Sequence, residues 1–140
     1  MSTPSHSVTL TRTGLGRYTA LNSRGEHLHI GSGEDASFTP VELLLAAIAG
    51  CSSVDVDHMT SRRAEPETFE VTASGTKSTE GGNHMTGLSV EFTLRFPAGP
   101  EGDAARERVQ AAIAASHERL CTVSRTIELG TPIEMRADVD

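Results

Sequence analysis

The chain reads as an α+β fold: a mainly antiparallel sheet with two long helices, in the order β-β-β-α-β-β-α-β. Three observations predict this. Short alternating segments are separated by turn-forming stretches, Asn22-Ser23-Arg24-Gly25 and Glu80-Gly81-Gly82-Asn83 among them. Two longer segments carry helical periodicity and helix-start signals instead. The strands follow one another through hairpins, and only antiparallel neighbours can be joined so tightly.

Taken in order, Ser7 to Arg12 alternates and is expected to be a strand. Gly14-Leu15-Gly16 is a turn, and Arg17 to Asn22 and Glu26 to Ile30 form a hairpin. A polar loop, Gly31 to Phe38, leads to Thr39-Pro40-Val41-Glu42. That tetrad is a capping box, with Thr at the N-cap, Pro at the first helical position and Glu at the third. The helix it opens is expected to run to about Arg63, ahead of Pro66. Glu67 to Ser78 and His84 to Phe96 are two longer strands joined by a hairpin. Past Pro97-Ala98-Gly99-Pro100, a second helix is expected from Asp103, a good N-cap, to Leu120. Val109, Ile113, Ser116 and Leu120 recur on it at helical spacing. A helical turn follows Cys121, and Ile133 to Ala137 is the expected last strand.

The 140 residues fit a single domain spanning 1–140. Only 4% of them are aromatic and none is Trp, so the core must be Leu, Val, Ile and Ala. Such a core buries little area per residue, which points to stability gained from a partner subunit. Leu43 to Gly50 is apolar nearly all round, and a helix of that kind must be covered on every side. A net charge of −7 without a basic stripe argues against nucleic-acid binding. Leu43 to Cys51 is far too short to span a membrane, and Met1 to Ser7 lacks the features of a signal peptide. The expected location is the cytoplasm, where cysteines are more often reactive or metal-binding than structural.

There are two cysteines, Cys51 and Cys121, each on a predicted helix. Alone, either thiol is best read as a small buried hydrophobe. Cys51 shares its helix face with Leu44, Ile48, Val54 and Asp55. As a pair on helices that this fold would pack together, the two cysteines form a candidate dithiol. His117, Arg119 and Arg125 lie near Cys121 in sequence and could supply the positive charge that favours a thiolate; the same cations also complement the end of a helix. Glu42 lies nine residues before Cys51, half a turn away in angle and roughly 13 Å along a regular helix. Coupling between the two therefore requires a partner subunit or a helix break. Cys51, His58, His117 and Cys121 offer a rival metal set, although their spacing is unlike a zinc-finger pattern. His27, His29 and His84 are expected to face solvent.

The segments Phe38 to Cys51 and Cys121-Thr122-Val123-Ser124, with the cysteines seventy residues apart, resemble the OsmC/Ohr family of osmotically inducible and organic-hydroperoxide-resistance proteins. The resemblance implies a cofactor-free, thiol-dependent peroxidase that forms an intertwined homodimer. In it, Cys51 would be peroxidatic and Cys121 would resolve. An Arg and a Glu would attend the first thiol. Arg17 is the best match for the Arg, with Arg24 as competitor. The family Glu falls where this chain has Val41, and Glu42 stands one position later. That departure places the chain nearer an OsmC-like branch.

The chemistry implied is attack of the Cys51 thiolate on an organic hydroperoxide and resolution of the sulfenic acid by Cys121. An external dithiol, for which a lipoyl-type group is one candidate, would then reduce the disulfide. Leu44, Ile48 and Val54 would supply an apolar wall favouring alkyl peroxides. The alternative is a protein that binds a small hydrophobic ligand or senses redox state without efficient turnover.

Overall fold

The structure is a computed structural model describing residues 5–140. The chain divides into two compact units, one through Leu44 and one from Leu45 to Asp140. The first holds strands β1 (Val8–Gly14), β2 (Arg17–Asn22) and β3 (His27–Ile30), joined in sequence order into an antiparallel sheet. The register pairs Leu10 with Ala20 and Ala20 with Leu28, so these side chains share one face of the sheet. Tyr18, paired with Ile30, continues that face. On β3 the alternation puts His27 and His29 on the opposite face, and both are exposed as expected. Asn22 makes the β2–β3 turn: its side-chain oxygen accepts from the backbone N–H of Arg24 and of Glu26, each at 3.0 Å.

Helix α1 runs unbroken from Pro40 to Ser61, across the junction of the units. The capping box forms as its residues dictate. The Thr39 N–H donates to Glu42 Oε1 at 2.8 Å, and the Glu42 N–H donates to Thr39 Oγ1 at 3.2 Å.

In the second unit, β4 (Thr68–Ser78) and β5 (His84–Arg95) form a long antiparallel hairpin. One face carries Val71 opposite Phe92 and Ala73 opposite Val90. The Phe69 and Phe92 rings meet edge to face with centroids 6.4 Å apart. Val56 and Thr60 of α1 are fully buried, as are Ala105 and Cys121. Thr60 satisfies its hydroxyl by donating to the Val56 carbonyl at 2.9 Å.

The second long helix departs from expectation at both ends. Helix α2 spans Pro100–Ala115, starting three residues before Asp103. Gly99 takes the N-cap at φ +112°, and Pro100 opens the helix with its φ already set. Gly102 is required next, because a Cβ there would run into the Pro97 carbonyl. Arg106 then locks this first turn, donating to the carbonyls of Phe96 at 3.1 Å and Pro97 at 2.9 Å while pairing with Asp103. Asp103 is therefore an ion-pair residue of the first turn, and it does not cap. At the far end the helix widens into a π-helical turn, Ser116–Leu120, and a third helix, α3, follows over Thr122–Glu128.

The chain ends without the expected last strand: Ile133 to Ala137 has no regular structure, and Ile133 and Met135 are 80% and 86% exposed. The segment alternates as a strand should. A strand also needs a neighbour for its backbone groups, and none of the described residues pairs with it. Among the described residues no helix is long and apolar enough to cross a membrane.

One titration tests the loop between β3 and α1. Asp35 Oδ1 accepts from the Ser37 N–H at 2.9 Å. This amide bond is the main cause holding the carboxyl below its ordinary 3.8, with Arg17 contributing in the same direction. A depressed carboxyl pKa stabilises the loop above the ordinary value, and that contribution is lost as pH falls through the lowered one. The Ser37 amide proton shift should titrate with a midpoint below 3.8; a midpoint at or above it would contradict the bond.

Candidate functional site: a dithiol beside an apolar cavity

Cys51 lies in the middle of α1. Cys121 lies between the π-helical turn and α3, as the N-cap of α3. Helix periodicity turns Cys51 toward this segment, and the π-turn places Cys121 against it. The Cys121 N–H closes the turn on the Ser116 carbonyl at 2.8 Å, five residues back. Both thiols are free. They are direct neighbours, each affecting the ionisation of the other. Ser52, next to Cys51 in the chain, donates its hydroxyl to Cys121 Sγ at 3.6 Å.

The two sulfurs have different surroundings. Cys121 is fully buried, whereas Cys51 is partly exposed. Cys121 Sγ meets the Ser124 hydroxyl at 3.1 Å and accepts from the Ser124 backbone N–H at 3.4 Å. As a thiol, Cys121 donates to Ser124 Oγ; as a thiolate, it accepts from that hydroxyl. Burial is the largest single influence on Cys121 and pushes its pKa up. The Ser124 hydroxyl and amide, the Ser52 hydroxyl and the Cys51 thiol outweigh it together and hold the value below the ordinary thiol range. Cys51 shifts the other way. Burial pushes it up, the Val123 amide pulls it down, the neighbouring Cys121 raises it again, and the Thr122 amide offsets part of that.

Beside the pair lies a cavity of about 260 Å³. Leu45 and Ile48 of α1, Phe92 of β5, Ile113 of α2 and Ile127 of α3 line it, with Ser52 and Ser124, near the thiols in sequence, and the His117–Glu128 pair also in the wall. The expected wall is only partly correct. Ile48 contributes, but Leu44 and Val54 lie outside the lining, and Val54 is 57% exposed.

Two of the basic residues expected near Cys121 are engaged elsewhere, and Arg119 lines a different pocket, away from the thiols. His117 Nε2 meets Glu128 Oε1 at 2.8 Å, and Arg125 Nη1 donates to the Glu118 carbonyl at 2.7 Å. Hydroxyls and an amide therefore do for Cys121 what these cations were expected to do. Arg17 pairs loosely with Asp35 at 3.8 Å, Arg24 lies in the β2–β3 turn, and Glu42 is held in the capping box. All three belong to the unit through Leu44. Among the described residues no three His, Cys, Asp or Glu side chains are grouped to hold a metal, so Cys51, His58, His117 and Cys121 do not form the rival site.

Two features escaped the sequence reading. One is the Ser52–Cys121–Ser124 set. Its signal was present, because a serine three residues after a cysteine fits a helix start with the sulfur as cap. The other is the π-turn, which no residue pattern announces. The serine set has a direct test. In a Cys51→Ser background, Ser124→Ala should raise the Cys121 pKa, read as thiolate absorbance against pH. An unmoved midpoint would remove Ser124 from this role.

A profile described as OsmC-like protein matches residues 32–136. The uncharacterized protein Rv2923c of Mycobacterium tuberculosis is 31% identical over 126 residues, covering 89% of this chain and 90% of that protein. An OsmC-like protein of unknown function from Vibrio cholerae superposes with a TM-score of 0.74 at 14% identity, over 90% of this chain and 95% of its own. An organic hydroperoxide resistance protein from Elizabethkingia anophelis superposes at 0.58 and 18% identity, over 89% of each chain. The likeness to the solved structures is one of fold. The match to the family profile covers most of the chain and includes both cysteines: this protein belongs to the OsmC-like family.

Proposed function

We propose that this protein is a thiol-dependent peroxidase for organic hydroperoxides, with Cys51 peroxidatic and Cys121 resolving. The observation that carries the reading is the adjacency of two unlike thiols beside an apolar cavity. Cys51 is the sulfur with exposed surface, so it is the one that a peroxide can reach. Its thiolate attacks the distal oxygen of ROOH. The S–O bond forms, the O–O bond breaks, and ROH leaves after gaining a proton. Cys121, whose hydrogen-bond donors favour its anion, then attacks the Cys51 sulfenic sulfur, and the oxygen leaves as water. An external dithiol reduces the disulfide and is itself oxidised. Burial of the alkyl group in the cavity contributes about 25 cal/mol per Å² and selects organic over hydrogen peroxide.

Cys51 needs help, because its pKa is raised. Arg17 is the group we assign to stabilise its thiolate and the departing alkoxide. Glu42 lies roughly 13 Å along an unbroken helix from Cys51 of its own chain. Any coupling of Glu42 to a thiol is therefore to that of a second copy.

A homodimer is part of this reading. Val8, Leu10 and Leu28 leave one face of the first sheet substantially exposed. Ala46, Ala47 and Gly50 form an exposed small-residue stretch on α1. A Cβ on Gly50 would meet nothing within 4 Å of its own chain. Gly in a helix interior costs about 1 kcal/mol relative to Ala, so its use here fits a second helix packed closely against it.

The raised Cys51 pKa, together with Val41 at the position of the family Glu, favours a second reading: hydrophobic-ligand binding or redox sensing without efficient turnover. Catalytic turnover distinguishes the two readings. Cys51→Ser should abolish hydroperoxide consumption, whereas Cys121→Ser should complete one turnover and stop as a sulfenic acid that a dione probe captures. Stoichiometric binding of hydroperoxide without ROH production would favour the second reading instead.

Assembly is tested by sedimentation at micromolar concentration. A dimer is expected, with Gly50→Leu weakening it and Arg17→Ala slowing Cys51 alkylation at neutral pH. A folded monomer with an intact peroxide response would contradict the dimer and any shared site. An unchanged alkylation profile would remove Arg17.

A further inference from the structure

Asp55 stands one turn after Cys51 on α1, on the same helix face. The peroxidase chemistry above does not use it. Its Oδ2 accepts the Ser116 hydroxyl at 2.8 Å. Ser116 is 2% exposed and opens the π-helical turn. The Ser116 carbonyl accepts from the N–H of Cys121, at the other end of the same turn. A π-turn is a rare and poorly favoured conformation that tends to occur at functional sites, so something must hold it open. Here α1 grips the Cys121 segment twice. Ser52 reaches the sulfur itself, and Asp55 reaches the residue where the turn begins. The second grip involves a carboxylate, which makes a stronger bond to a hydroxyl than a neutral acceptor does.

We propose that Asp55 is a positioning residue for disulfide formation: by holding Ser116, it fixes the π-turn that presents Cys121 to Cys51. The step it serves balances simply. The Cys121 thiolate forms an S–S bond to the Cys51 sulfenic sulfur, the S–O bond breaks, and the oxygen leaves as water with a proton from solvent. Without the tie the wide turn relaxes toward α-helical winding, which rotates Cys121 away. Misplacement of a reacting group by about 1 Å costs roughly 100-fold in rate. The first step, peroxide attack at Cys51, does not depend on where Cys121 sits.

This inference rests on the peroxidase reading, and its test separates the two. Rapid-quench mass measurement resolves sulfenic acid formation at Cys51 from disulfide closure in the parent, Asp55→Ala, Ser116→Ala, the double variant and Asp55→Asn. Sulfenic acid formation should stay within about twofold of the parent, while closure slows by about tenfold or more in Asp55→Ala and Ser116→Ala. The double variant should be no slower than the worse single, because the two residues form one contact. Asp55→Asn, whose amide oxygen still accepts from Ser116, should recover most of the rate. Unchanged closure, or an equal slowing of both steps, would overturn the proposal. Should the parent not react with peroxide, the peroxidase reading fails, and equilibration in a dithiothreitol redox buffer decides this one. A smaller disulfide fraction in Asp55→Ala than in the parent supports the positioning role, and an equal fraction overturns it.

Discussion

The site depends on how one fully buried sulfur is held. Cys121 caps α3, ends the π-turn, accepts from the Ser52 hydroxyl and the Ser124 N–H, and donates to the Ser124 hydroxyl. Those bonds satisfy a thiol that would otherwise be an inert core residue. They also tie α1 to the segment between α2 and α3. Two segments 69 residues apart meet at one atom, and Cys51 is the residue beside that meeting point. Because Cys121 has no exposed surface and Cys51 has some, the same packing that ties the elements also gives the two thiols different access.

The electrostatics follow from the same arrangement. Partial burial pushes the Cys51 thiol up. Cys121 is buried more deeply yet shifts down, because hydroxyl and amide donors surround it. His117 and Glu128 bond to each other within the cavity wall, Arg125 donates to the Glu118 carbonyl, and Leu45, Ile48, Ile113 and Ile127 supply most of the apolar lining.

Much of this was legible in the residues, for local reasons. Alternation bounded by Gly and Asn marks the hairpins, since a two-residue period and a tight turn are both short-range properties. Thr39 and Glu42 announced α1 because a capping box is contained in four residues. The errors arose where tertiary contacts decide. Asp103 resembles an N-cap, but Gly99, Gly102 and the Arg106 clamp set the start of α2. The π-turn depends on contacts across to α1, so no periodicity in Ser116 to Leu120 reveals it. Ile133 to Ala137 has the pattern of a strand without a partner to pair with. In the candidate site, the two cysteines were found from their isolation and spacing. The donors are neutral serines, and only the tertiary fold brings Ser52 to a sulfur 69 residues away.

The central claim is that the two thiols are placed to become one bond. Titration of the reduced wild-type protein with an organic hydroperoxide, followed by intact mass, tests it most directly. The account predicts that one equivalent of hydroperoxide removes two hydrogen atoms from the chain, with no retained oxygen and with both cysteines in a single bridged peptide pair. Stable addition of oxygen to Cys51 with Cys121 still alkylatable would contradict it.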